Sequence, residues 1–246
     1  MKKLLIALMF STLFTTSGFA AGTVVDYRID GALYEGYFIS PSPTAPLILL
    51  IHDWDGLGQY EIQRSQMLAD QGYAVFAADM FGKGVRPTQI DDRRRLTNAL
   101  YQDREMMRKL LQGALDAATD QGANIDNAVA IGYCFGGAVI LELARAGSPL
   151  KGFVSFHGGL TTPEGQSYAE TKGSVLILHG TADAAVSMDD FAQLAKELEE
   201  QNVVHEMITY SGAPHAFTVF GSDRYREDAD RKSWQRFLDY LKETLQ

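Results

Sequence analysis

Gly132-Tyr133-Cys134-Phe135-Gly136-Gly137 follows the apolar run Ala128 to Ile131 and precedes Ala138-Val139-Ile140-Leu141-Glu142-Leu143-Ala144. The run reads as a buried strand and the segment after it as a helix. A reactive side chain framed by glycines at a strand-to-helix turn has the form G-x-S-x-G, here with Cys134 in the place of the serine. The glycines are required because the residue at such a turn is strained and its neighbours pack closely. Cys134 is the only cysteine of the chain, so it has no partner for an internal disulfide. A lone cysteine is often no more than a small buried hydrophobe. The strand, the glycine frame and the helix together point instead to a nucleophile.

Strands and helices alternate outward from this turn, which implies a mostly parallel sheet with helices on both faces. Val24 to Ile29 and Leu33 to Ile39 read as a leading pair of strands turned at Asp30-Gly31. Pro41 to Pro46 is a short connector. Leu47 to Ile51 is a buried strand ending in His52-Asp53-Trp54-Asp55-Gly56, and a helix is expected from Tyr60 to Gln71, stopped by Gly72. Ala74 to Ala78 is the next strand. Asp91 to Asp120 carries apolar residues at helical spacing and reads as one or two helices, with Arg93-Arg94-Arg95 as a solvated face. Beyond the elbow come strands at Phe153 to Phe156, Val175 to Leu178 and Val203 to Tyr210, and a helix from Asp189 to Glu200. A last helix, expected to start near Asp223, carries Trp234, Phe237, Leu238 and Leu241 as its core stripe. No internal repeat or low-complexity segment interrupts the pattern.

The first residues read as a targeting segment. Lys2-Lys3 forms a positive start, Leu4 to Phe14 a short apolar stretch, and Gly18-Phe19-Ala20 a small-residue cleavage site. A signal peptide over residues 1–20 places a single domain, 21–246, in a bacterial periplasm or outside the cell. Without Lys2 and Lys3 the chain holds 20 basic and 31 acidic side chains, a formal charge of −11. That acidity argues against nucleic acid or an anionic membrane as a partner. A single cysteine excludes a disulfide scaffold.

A thiol nucleophile needs a base, and the base an orienting carboxylate. In open parallel sheets such groups gather at the carboxyl ends of the strands. Asp183 lies just beyond the strand ending Leu178-His179-Gly180, and His215 just beyond the strand ending at Tyr210. Cys134, Asp183 and His215 thus follow one another in the nucleophile–acid–base order of α/β-hydrolases. His52 and His157 also end strands and could line the pocket; His179 is expected to brace the turn presenting Asp183, and His205 to be a strand residue. The histidine spacings fit no common zinc motif, so no metal is expected.

Over nearly the whole mature chain the sequence resembles the dienelactone hydrolase family. The resemblance rests on Gly132 to Gly137, His179-Gly180-Thr181-Ala182-Asp183 and Gly212-Ala213-Pro214-His215-Ala216-Phe217, with support from Ile51 to Gly56 and Ala78 to Gly84. It implies the α/β-hydrolase fold, with Cys134 as nucleophile, His215 as base and Asp183 as its orienting acid. It also implies no cofactor and a small-molecule ester or lactone as substrate. The family places a glutamate that contacts and helps activate the resting thiol where this chain has Asp53, one methylene shorter. Type members hold the carboxylate of their dienelactone with arginines, one of them a few residues past the catalytic histidine; here Ala216 to Phe220 carries no cation.

The expected reaction is hydrolysis through an acyl-thioenzyme, with the backbone N–H groups of Trp54 and Phe135 as the oxyanion hole. The missing cation favours neutral short-chain esters or lactones over anionic dienelactones, and a broad carboxylesterase is the nearest alternative. A non-catalytic binding protein on the same fold is the alternative of a different class. Oligomeric state is not encoded in any motif.

Overall fold

The structure, a computed structural model, describes residues 21–245, so the segment read as a signal peptide lies outside the described residues. The chain opens with an antiparallel hairpin, β1 (Thr23–Ile29) and β2 (Ala32–Ile39). Asp30 and Gly31 turn it with φ of 50° and 82°, the left-handed pair that a two-residue hairpin demands. Then follow β3 (Pro46–Ile51), α1 (Gln59–Ala69), β4 (Ala74–Ala78), α2 (Ile90–Gln102) and α3 (Arg104–Asp120). The charged stretch therefore forms two helices. They part at Asp103, whose carboxylate accepts the Met106 N–H at 2.9 Å and caps α3.

The second half runs β5 (Asn124–Tyr133), α4 (Phe135–Arg145), β6 (Gly152–Phe156), β7 (Ser174–Gly180), α5 (Met188–Glu200), β8 (His205–Tyr210) and α6 (Glu227–Thr244). The eight strands form one sheet in the order β1-β2-β4-β3-β5-β6-β7-β8. Only β2 runs against its neighbours; the pairs from β4 to β8 are all parallel. This is the α/β-hydrolase architecture anticipated from the sequence.

Alternation along β3 divides the core in two. Leu47, Leu49 and Ile51 pack with Met107 and Leu111 of α3, Val139 of α4, and Leu194 and Leu198 of α5. Ile48 and Leu50 pack on the opposite face with Leu68 of α1 and with Phe237 and Leu241 of α6. These five β3 residues are fully buried, which is why the strand reads as continuously apolar. Each such side chain contributes about 1.5–3 kcal/mol by leaving water. From β3 the chain moves one way to β4, then returns past β3 to β5 and continues to β8. The crevice between the carboxyl ends of β3 and β5 is thus the switch point where ligands settle in such sheets.

The last helix begins at Glu227, later than the expected Asp223. Residues 216–226 are instead a chain of turns (Val219 to Ala216, Ser222 to Val219 and Tyr225 to Ser222), closed by the Arg226 N–H donating to the Phe217 carbonyl at 2.9 Å. In the core stripe of α6, Phe237, Leu238 and Leu241 are buried, while Trp234 is half-buried.

A Cβ at Gly132 would lie 2.1 Å from both the carbonyl carbon and the oxygen of Gly136, backbone that cannot swing aside. Gly132→Ala is therefore expected to destabilise the fold by about 3 kcal/mol, the upper end for overpacking. A urea midpoint unchanged from wild type would show that the elbow relaxes freely.

Candidate active site

Cys134 caps the end of β5 and precedes the first turn of α4 with φ of 53° and ψ of −112°. Its N–H donates to the Phe156 carbonyl at 3.0 Å, and its carbonyl accepts the Gly137 N–H at 3.1 Å. The helix can start so close to the sheet because Gly136 has no side chain: a Cβ there would meet the Ile51 carbonyl oxygen at 2.3 Å. The strained backbone presents the sulfur to the cleft, where it meets His215.

The three residues expected to meet do meet. His215 Nε2 lies 3.0 Å from Cys134 Sγ, and His215 Nδ1 lies 2.8 Å from Asp183 Oδ2. Asp183 is fixed from its other side, where Oδ1 accepts the N–H groups of Ala185 at 2.8 Å and Val186 at 2.9 Å. Burial opposes a charge on the imidazole, but the hydrogen bonds to Asp183 and to the Cys134 sulfur, with their negative charge, outweigh it. The His215 pKa is raised to about 10. Burial also opposes the Asp183 carboxylate, yet the same histidine and the two N–H groups hold its pKa below the usual value. Nε2 thus keeps its hydrogen at neutral pH, directed at the sulfur.

A cleft of about 430 Å³ opens over this pair. Asp53, Trp54, Tyr101 and Phe135 line it together with Cys134 and His215. Trp54 and Phe135 are the two residues expected to supply the oxyanion hole, and Phe135 is the first residue of α4, where a helix leaves its N–H free. Burial, the bond and charge of Asp55, and the charges of Glu61 and Cys134 all raise the Asp53 pKa, to about 10. Asp53 accordingly stands beside the thiol as a neutral acid.

His52 and His157 do not line the cleft. His52 is fully buried beneath it and donates from Nδ1 to the Asp53 carbonyl at 2.5 Å, while Nε2 accepts the Met80 N–H at 3.1 Å. It ties the loop after β3 to the loop after β4. His157 is buried behind His215, their ring centroids 5.4 Å apart. His179 stacks on Phe191 at 5.6 Å, and His205 opens β8 with Nδ1 on the Val203 carbonyl at 2.7 Å.

Tyr101 and Arg224 are among the cleft residues that escaped the sequence reading. Tyr101 comes from α2, a helix whose charged face drew attention away from it. Arg224 lies nine positions past His215 and reaches the cleft because α6 starts late. Ala216 to Phe220 carries no cation, as read, but Arg224, four residues further on, brings one to the cleft. The arginine run stays outside: Arg94 and Arg95 pair with Asp91 and Asp92 on the surface, and Arg93 lies over Trp54 and near Asp55.

A parallel sheet with a nucleophile-type elbow at its switch point defines an α/β-hydrolase. Within that class the chain belongs to the dienelactone hydrolase family, whose model matches residues 34–245. By that membership it is a hydrolase of carboxylic esters or lactones. It is 31% identical to a dienelactone hydrolase-like promiscuous phosphotriesterase from metagenomic libraries, covering 93% of this chain and all of that one with a TM-score of 0.86. A solved protein from Klebsiella pneumoniae, provisionally titled a dienelactone hydrolase, shares the fold at 20% identity and a TM-score of 0.81, over 90% of this chain and 98% of its own. A protein of Aquifex aeolicus provisionally named a carboxymethylenebutenolidase is 23% identical over 91% of this chain and 99% of its own.

The raised His215 pKa fixes the sign of a pH effect. Stability from holding this proton is full below the unfolded value of about 6.5 and is lost as pH rises toward about 10. His215→Gln should flatten the fall in urea midpoint between those limits. A variant that falls as steeply as wild type would assign the loss to other groups, Asp53 first.

Proposed function

We propose that the protein hydrolyses a small ester or lactone through an acyl-thioenzyme, with Cys134 as nucleophile, His215 as proton carrier and Asp183 as its orienter. The observation that carries this reading is the aligned contact of sulfur, imidazole and carboxylate at 3.0 and 2.8 Å. The attacking form of the pair is thiolate and imidazolium. The sulfur attacks the carbonyl carbon, and the π electrons move to oxygen, which the N–H groups of Trp54 and Phe135 receive. One such donor contributes roughly 3–4 kcal/mol to the transition state.

Collapse of the adduct re-forms the carbonyl and breaks the bond to the alcohol oxygen, which leaves with the proton from Nε2. The imidazole, now neutral, takes a proton from water as that water attacks the thioester. The second adduct expels the thiolate, releases the acid and returns the imidazolium. Asp183 remains ionised throughout and fixes the tautomer by accepting from Nδ1. Asp53, as a neutral acid, stabilises the thiolate without competing for the His215 proton. A thiolate leaves such an adduct more readily than an amide nitrogen does, which favours esters and lactones over peptides. The reading includes export of the domain by residues 1–20.

Arg224 bears on the choice of substrate. Among the described residues no carboxylate forms an ion pair with it, and it lies on the cleft wall beside Ala216 and His215. It supplies the cation that the segment just after His215 lacks, and it favours a substrate carrying a carboxylate. Because Arg224 is exposed, the pair adds up to about 1 kcal/mol, a factor of about five.

Cys134→Ala is expected to abolish hydrolysis of p-nitrophenyl acetate with the fold intact, and iodoacetamide should do the same to the wild type. Turnover above a few percent in that variant, with contamination excluded, would remove Cys134 as nucleophile. For substrate choice, Arg224→Gln should lower the ratio of kcat/KM for cis-dienelactone to that for a neutral lactone about fivefold. An unchanged ratio would return the neutral-ester preference read from the sequence.

A further inference from the structure

Behind His215, on the side away from the cleft, lies a buried polar chain that the proposed reaction does not use. Arg64 of α1 is 1% exposed and pairs with Asp230 of α6, itself 6% exposed. Its Nη2 donates to the Thr218 carbonyl at 2.9 Å, and its Nε to the Tyr60 hydroxyl at 3.2 Å. Tyr60 Oη lies 2.7 Å from Thr218 Oγ1, which in turn lies 2.8 Å from His157 Nε2. His157 packs edge-on against His215 and against Phe217. An ion pair this deep is rarely favoured over apolar packing for stability alone.

The chain has a direction. A guanidinium only donates, so Tyr60 oxygen accepts from Arg64. The arrangement that spends every hydroxyl proton sends the Tyr60 proton to Thr218 and the Thr218 proton to His157 Nε2. The His157 hydrogen then sits on Nδ1, the one atom of the chain that has no partner. In the reverse direction the Tyr60 proton would also be stranded. With its Nε2 lone pair engaged, His157 cannot take a proton from its neighbour. Its backbone adds a separate sign of function: φ is 41°, a left-handed value that most side chains avoid, and Ala216, next to His215, is at 62°.

We propose that the chain Arg64–Tyr60–Thr218–His157 positions His215. Thr218 anchors the loop that carries the catalytic imidazole, and the His157 ring, locked in one tautomer, forms the wall against which that imidazole rests. The inference rests on the triad reading above. Thr218 and His157 are positioning residues; neither touches the substrate.

Thr218→Val keeps the shape and removes the hydroxyl. It is expected to lower kcat for p-nitrophenyl acetate roughly 10- to 100-fold, as small misplacements of a catalytic group do, with KM within about twofold. Alkylation of Cys134 by iodoacetamide at neutral pH should slow with it. Thr218→Ser restores the hydroxyl and should return kcat to near wild type. If Thr218→Val cannot be isolated folded, His157→Asn, a residue that accepts the left-handed backbone, should give the same loss in kcat. Wild-type kcat in either variant, or a serine variant no better than the valine one, overturns the proposal. Activity surviving in Cys134→Ala is a separate result that strikes the nucleophile; this inference fails on its own when Cys134→Ala is inactive and Thr218→Val turns over like wild type.

Discussion

The contact on which the rest depends is that between the first turn of α4 and the carboxyl end of β3. It leaves no room for a side chain at Gly136, and the backbone of Gly136 leaves none at Gly132. Only with α4 seated there does Cys134 take its left-handed conformation and stand above the sheet. Five non-glycine residues have positive φ among those described; Asp30 and Asn202 are turn residues that tolerate it. The other three, Cys134, His157 and Ala216, come from the ends of β5, β6 and β8 and converge on one site. Strain gathered in this way persists only because the packed sheet beneath over-determines it.

The electrostatics follow from where those strand ends lead. The loop after β3 and the start of α1 bring Asp53 and Glu61 close to Asp55, and burial makes the negative charge of the first two costly. Asp53 is pushed up to about 10 and Glu61, likewise mainly by burial, to about 7. At His215 burial opposes the charge, but the hydrogen bonds to Asp183 and to the Cys134 sulfur outweigh it and the ring holds its proton. The folded protein therefore holds more protons around the site than the unfolded chain does, over a range that spans neutrality. A single positive imidazole beside a neutral carboxyl is the state that the proposed reaction requires, with a proton to give to a leaving alcohol.

Much of this was legible in the sequence, for physical reasons that differ by residue. The elbow is written in six consecutive residues because its constraints are local. Asp183 and His215 could be found because parallel strands end on one side of a sheet, so strand ends are a short list. Arg64, Glu61 and Ser65 were not legible, since no motif on α1 marks them as buried; Arg64 is covered through Asp230 of α6, Glu61 through the loop at Gly58. His52 and His157 also ended strands, yet strand-end placement cannot separate a side chain that faces the cleft from one that lies beneath it. Arg224 was lost for a narrower reason: acidic residues from Asp223 onward look like a helix start, whereas the Arg226-to-Phe217 bond delays the helix by one turn.

That delay concentrates unlike tasks in one segment. Between β8 and α6 the chain supplies the proposed base His215, the proposed anchor Thr218 and the rim cation Arg224, while the proposed nucleophile and oxyanion donors lie in the loop after β3 and at the junction of β5 and α4. The second group is fixed by backbone packing with no slack at the glycines. In the first, the segment is tied by side-chain hydrogen bonds, Thr218 to Tyr60 and Arg64 of α1 and Tyr225 to Asp230 of α6, which can be changed one at a time. The elbow and the cleft wall at Arg224 are thereby held by different parts of the fold. A loop substitution can alter the cleft wall at Arg224 without disturbing the elbow, provided the buried chain through Thr218 still holds His215 against the sulfur.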